Sequence, residues 1–151
     1  MRVVIQRVSS ARASVEGRTV GEIGAGLCLL IGVAPEDDKR AAAWAASKIV
    51  NLRIFEDSEG KMNRSLLDIR GEILAISQFT LYADCRKGRR PSFTGAAEPS
   101  HANAIYESLT ELLREMGVSV RTGVFGAEMS VDIVNEGPVT IILDAADMLY
   151  N

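Results

Sequence analysis

The chain has 151 residues, 47% hydrophobic and 25% charged, with a formal net charge of −3. This is the profile of one globular domain that buries about 70% of its unfolded surface, and it excludes a disordered, collagen-like or coiled-coil chain. The mild acidity excludes a basic face that wraps long nucleic acid, but not local contact with one end of an RNA.

No apolar run reaches the ~18 residues of a membrane span. The longest, residues 27–33, is broken by Gly32. The opening stretch, residues 1–7, is too short and too soon recharged for a signal peptide. A soluble, cytoplasmic protein is expected.

Taken in chain order, residues 3–8 are β-branched and end at Ser9-Ser10. Residues 13–15, the turn Glu16-Gly17 and residues 18–20 read as a hairpin. Gly21, Gly24 and Gly26 mark turns before a strand at 27–33, where Gly32 marks a bulge or a close backbone approach. Pro35-Glu36-Asp37-Asp38 opens a helix, since proline and acids suit a first turn. Ala41, Trp44, Ala45, Lys48 and Ile49 continue it at helical spacing. Leu52-Arg53-Ile54-Phe55 alternates like a strand, 57–63 is a polar turn around Gly60, and 72–78 is a strand. Residues 86–95 form a loop.

The clearest helix is 100–116, with Ser100 as its cap and Gly117 just past its end. Its apolar stripe is Ala102, Ile105, Tyr106, Leu109, Leu112, Leu113 and Met116. Residues 118–124, 129–135 and 139–143 read as the last strands, the final two joined by Glu136-Gly137-Pro138. About eight strands and two helices result. They do not alternate regularly, so an α/β sandwich with a mixed, largely antiparallel sheet is expected rather than a doubly wound fold.

The chemistry is bounded by what is missing. Cys28 lies among leucines and Cys85 is far from it, so no disulfide is expected. His101 is the one histidine, read as a surface residue. Structural zinc sites and multi-histidine catalytic sites are thereby excluded, and no metal or other cofactor is expected. No nucleophile elbow, P-loop or dinucleotide fingerprint occurs. Asp57 and Glu59 read as a solvated turn.

Three segments differ from packing alone. Ser77, Gln78 and Thr80 interrupt an apolar strand at its end, either bonding local backbone or forming a site at an open strand end. Residues 135–140 suit a hairpin turn, with Pro138 fixing φ. Arg86, Lys87, Arg89 and Arg90 surround Gly88, forming either a solvated loop or a phosphate clamp. Arg7, inside an apolar strand, either faces solvent or is paired in a pocket.

Ser77-Gln78-Phe79-Thr80-Leu81-Tyr82-Ala83 and Asn135-Glu136-Gly137-Pro138-Val139-Thr140 together resemble the two signature motifs of the D-aminoacyl-tRNA deacylases. The likeness extends over residues 2–6, 50–57, 86–93 and 122–127, in the family's order and at its length. It implies one domain over 1–151, with mixed, largely antiparallel sheets in a barrel-like roll and two main helices. It implies hydrolysis of the ester joining a D-amino acid to the 3′ end of tRNA, rejection of L-aminoacyl-tRNA, and action on mischarged glycyl-tRNA.

It also implies a homodimer in which a cis Gly137-Pro138 peptide enters the partner's pocket and reads chirality through main-chain carbonyls, braced by Arg7. Ser77, Gln78, Phe79 and Thr80 would form the catalytic segment. Amides near Gln78 and Phe79 would hold an oxyanion, and Thr80 or the terminal ribose 2′-OH would drive the attack. Phe125 and Met129 would lie near the terminal adenine, and Arg86, Lys87, Arg89 and Arg90 on the tRNA. Two alternatives remain: a non-catalytic RNA-end-binding module, and a small-ester hydrolase with Thr80 or Ser77 as nucleophile.

Overall fold

The computed structural model describes residues 1–150. Its elements, in chain order, are β1 (Arg2–Val15), β2 (Arg18–Ile23), β3 (Gly26–Gly32), α1 (Lys39–Asn51), β4 (Phe55–Glu56), β5 (Met62–Arg64) and α2 (Leu66–Ile69). There follow β6 (Glu72–Ser77), a 3-10 helix at Phe79–Tyr82, α3 (Pro99–Glu115), β7 (Ser119–Thr122), β8 (Ser130–Asp144) and a 3-10 helix at Ala145–Tyr150.

The long strand β1 organises the sheet. Its first half pairs with β3 and its second half with β2, while β8 runs antiparallel along its other edge. β6 adds parallel to β3, and β7 parallel to β6. The sheet curls until β2 meets β7: a Cβ on Gly21 would stand 2.7 Å from the Thr122 carbonyl oxygen. The expected mixed, largely antiparallel, barrel-like roll is what forms.

Curling gives the sheet two buried faces, and period-two alternation divides β6 between them. Ile73 and Ala75 pack with Val3, Ile5, Leu29 and Ile31 against α1 and α3. Leu74 and Ile76 line the inside of the roll with Val8, Ala13 and Cys28. Two-sided burial explains why the central strands β3 and β6 read as unbroken apolar runs. Burial also raises the Cys28 thiol to about 11, leaving it a neutral core group. Both cysteines are free.

Several boundaries differ from the sequence reading. Ser9 and Ser10 do not end β1; they lie mid-strand where its register against β8 shifts. α1 begins after Asp38, whose carboxylate caps the Arg40 and Ala41 amides, so Pro35–Asp37 precede the helix. Asp37 turns back to accept from Ala34 N–H and to pair with the Met1 ammonium. α3 starts with Pro99 at its first position, so Ser100 is inside the helix and not its cap. The expected strand at 52–55 survives only as Phe55–Glu56.

A third, short helix, α2, was not anticipated. Ser65 and Asp68 close it with a reciprocal capping box. His101 is half-buried, its Nε2 hydrogen-bonded with the Asp37 carbonyl oxygen at 2.9 Å, and is not a plain surface residue. Asp57 behaves as expected: its carboxylate gathers Glu59 N–H, Lys61 N–H and the Asn63 amide into a turn.

The largest difference is β8. A hairpin at 136–138 would reverse the chain. Instead both arms run the same way along β1, with Val8 opposite Asn135 and Gln6 opposite Thr140. Residues 136–139 therefore stand opposite Arg7 alone, as a wide bulge in one continuous strand.

Candidate active site

The last parallel pair between β3 and β6 is Ile31 with Ser77. Gln78 N–H still donates to the Ile31 carbonyl oxygen at 2.7 Å, and then the backbone turns into the 3-10 helix. That bond commits the Gln78 amide. The Phe79 and Thr80 N–H groups open the helical turn, where such donors lack an intrahelical partner. The polar residues that interrupt the strand thus mark the place where backbone donors become available.

The Gln78 side-chain amide donates to Thr80 Oγ1 at 2.5 Å. The Thr80 hydroxyl is held by an amide donor, and no base takes its proton among the described residues. Such a hydroxyl lacks the partner that activates a nucleophile.

Beside this turn lies a cavity of about 720 Å³. Ser77, Gln78 and Phe79 line it, whereas Thr80 does not. Ile31, Ile76, Met129 and Val131 form an apolar part, and Phe125, Phe93 and the 96–99 stretch complete the walls. Phe125 stands 6.1 Å from the Tyr106 ring. Tyr106 is anchored by its hydroxyl donating to the Ala75 carbonyl oxygen at 2.8 Å, and burial pushes its pKa up to about 12. Met129 Sδ accepts from Val124 N–H at 3.4 Å. The cavity thus combines an apolar aromatic interior with backbone donors at one edge.

Arg7 resolves in favour of the paired alternative. It is 5% exposed. Its Nη1 donates to the Ile54 carbonyl oxygen at 2.7 Å and its Nε to the Glu136 carbonyl oxygen at 3.1 Å. Glu56 stands 3.8 Å away at the surface. The bulge therefore rests on a buried guanidinium. Gly137 has φ of 120° and its peptide to Pro138 is cis. A Cβ at Gly137 would come within 2.9 Å of Arg7 Nη2. Gly137 and Pro138 are exposed, and neither lines the cavity of its own chain.

In the basic loop, Arg86 is taken by Asp84 through two bonds of 2.9 and 2.6 Å. That pairing holds the Asp84 carboxyl below its ordinary range. Lys87, Arg89 and Arg90 are exposed, and no carboxylate pairs with them among the described residues. Backbone bonds between Asp84 and Ser92, of 2.7 and 3.0 Å, clamp the base of the loop. Phe93 then meets Phe79 edge to face at 5.2 Å, tying the loop to the 3-10 turn after β6.

The family model described as D-Tyr-tRNA(Tyr) deacylase matches residues 4–144. The chain belongs to the D-Tyr-tRNA(Tyr) deacylase family. Among curated relatives, the D-aminoacyl-tRNA deacylase of Thermus aquaticus is 56% identical, covering 97% of each chain. That of Thermomicrobium roseum is 57% identical over 98% of this chain and 96% of its own. A solved structure titled c-Myc DNA Unwinding Element Binding Protein is 41% identical, covers 95% of this chain and 98% of its own, and superposes with a TM-score of 0.89. A probable eukaryotic D-amino acid tRNA deacylase, at 20% identity and a TM-score of 0.81, shares the fold.

Within this D-Tyr-tRNA(Tyr) deacylase fold, the structure brings Ser77, Gln78, Phe79, Phe125 and Met129 to one cavity. It sets Arg7, Gly137 and Pro138 together at a second place, and the basic loop at a third. Sequence reasoning missed the wall at 93–99, which contributes Phe93, Ala97 and Pro99. It also missed Arg2, whose Nη1 donates to the Leu81 carbonyl oxygen at 2.9 Å. Asp144 holds Arg2 from the other side, at 2.9 and 3.0 Å.

No three His, Cys, Asp or Glu side chains gather as a metal site among the described residues.

Proposed function

We infer that the protein hydrolyses the ester of D-aminoacyl-tRNA, releasing a D-amino acid and tRNA. The observation that carries this reading is the 3-10 turn after β6. It opens backbone donors beside an apolar, aromatic-walled cavity, in a chain more than half identical to curated D-aminoacyl-tRNA deacylases. In this reading water attacks the ester carbonyl carbon. The carbonyl oxygen becomes an oxyanion held by the Phe79 amide, and the 3′-oxygen leaves with a proton taken from the water. One oriented donor of this kind contributes about 3–4 kcal/mol. An aminoacyl ester is already activated, so little more is needed. The terminal ribose 2′-OH assists the water, and Thr80 serves as structure.

Phe125 and Met129 receive the adenine, and Lys87, Arg89 and Arg90 meet phosphates. Gly137 and Pro138, which are exposed and do not line the cavity of their own chain, act in the cavity of a second copy. The outer edge of β8 supports pairing of two copies. Among the described residues β8 pairs with β1 alone, and one of its faces carries Val134 and Ile142 at 53% and 67% exposure.

Two experiments test this. Purified protein should release D-tyrosine from D-tyrosyl-tRNA and leave matched L-tyrosyl-tRNA charged; no release from the D-ester would remove the reading. Sedimentation at working concentration should give twice the chain mass, and a fully active monomer would remove the cross-subunit part.

A further inference from the structure

Among the described residues, the large hydrophobics left exposed include two aromatics, Phe79 at 55% and Phe93 at 39%. They are neighbours in space, edge to face at 5.2 Å, and both stand at the cavity wall. Phe93 lies three positions past Arg90 in the loop that carries the free cations. Exposed aromatic rings beside unpaired arginines are what a single-stranded nucleic acid binds: bases stack on the rings while cations follow the phosphates.

Position fixes which base. In the reading above, the ester lies at the Phe79 amide and the terminal adenine near Phe125 and Met129. Phe93 stands both at the cavity wall, against Phe79, and just past the loop of Lys87, Arg89 and Arg90, so a strand running from the cavity to those cations meets the pair. We propose that the Phe79–Phe93 pair is a stacking platform for the nucleobase next to the terminal adenosine. This subsite rests on the deacylase reading and deepens it. It lets the enzyme bind a tRNA end more tightly than an isolated aminoacyl-adenosine without reading any particular sequence, since every base offers a π-face.

The test needs no catalysis. Two uncharged acceptor-stem hairpins are compared at fixed salt, one with an intact 3′ end and one with an abasic ribose at the penultimate position. Wild type should bind the intact hairpin on the order of tenfold more tightly. Phe93→Ala should lose most of that difference, and Phe93→Trp should restore it, as a double-mutant cycle requires. Turnover gives a second readout: Phe93→Ala should raise KM for D-aminoacyl-tRNA by at least tenfold more than for 3′-(D-aminoacyl)-adenosine.

Equal losses on both substrates would reduce Phe93 to a cavity wall and overturn the proposal. So would wild-type binding that is indifferent to the abasic site. A protein that binds neither hairpin and cleaves neither ester would instead bring down the deacylase reading itself, and the subsite with it.

Discussion

At the scale of single residues, Thr80 and Arg7 carry the sharpest consequences. Thr80 Oγ1 accepts from Gln78 Nε2 and stands outside the cavity lining. Thr80→Ala is therefore expected to cost less than about tenfold in single-turnover rate. Loss of a true nucleophile costs about four orders of magnitude or more, and a fall of that size would restore Thr80 to the chemistry. Arg7 donates to two carbonyls from a buried position. Arg7→Met would strand those acceptors, so urea denaturation should show a loss of about 2–4 kcal/mol. An unchanged midpoint would contradict the bracing role.

Arg7 also shows what a sequence yields at this scale. A cation inside Val3-Val4-Ile5-Gln6-Arg7-Val8 is visibly out of place. Its partners are 47 and 129 positions away, and local pattern could not name them. The same holds for Gln78, whose side chain was legible as polar but whose amide is committed by a strand distant in sequence.

Elements were legible where their signals are local. The stripe from Ile105 to Leu113 places α3, and the unbroken apolar run Ile73-Leu74-Ala75-Ile76 places β6. The 136–139 bulge was not legible, because Asn, Gly and Pro mark a departure from regular strand without saying whether the chain reverses. Pairing of both arms to β1 decides it. α2 was legible in principle from Ser65-x-x-Asp68, but four residues give no apolar period to support the cap.

The basic loop supplies the prediction at this scale. Among the described residues no carboxylate pairs with Arg89 or Arg90, so replacing both with alanine should weaken tRNA binding with little change in the saturated rate. The slope of log affinity on log salt should flatten by about 1–2. A large fall in rate at unchanged affinity would show that the loop belongs to the chemistry.

At the scale of the molecule, curling of the sheet into a roll was legible only through the family resemblance and not through any local pattern. It depends on β2 meeting β7 with Gly21 against Thr122, a contact between segments that share no pattern. Carboxylates spread over the fold set its acid limit. Asn63 and neighbouring amides hold Asp57 low, the Ser65 amide holds Asp68 low, and Arg86 holds Asp84 low. For Asp144 burial pushes upward, but Ala146 N–H and Arg2 outweigh it and the net shift is downward. Groups depressed in the fold stabilise it fully above their unfolded values and lose that contribution as pH falls through the folded ones. Urea midpoints should be level between about pH 5 and 7 and drop below about pH 4; a midpoint that rises on acidification would contradict these assignments.

Discrimination between D- and L-esters falls to the 136–139 bulge in the proposed reading. Arg7 occupies the Glu136 carbonyl; in the proposed cross-subunit reading the Gly137 and Pro138 carbonyls would meet the amino group of a substrate in the partner's cavity. A D-residue would place its amine there. An L-residue would place its side chain against backbone that Arg7 holds rigid, and glycine has no side chain to exclude. The most direct measurement is the deacylation rate of D-alanyl-, glycyl- and L-alanyl-tRNA by the wild-type protein under one set of conditions. The D-ester and the glycyl ester should both be hydrolysed and the L-ester spared. Hydrolysis of L-alanyl-tRNA as fast as glycyl-tRNA would contradict the account.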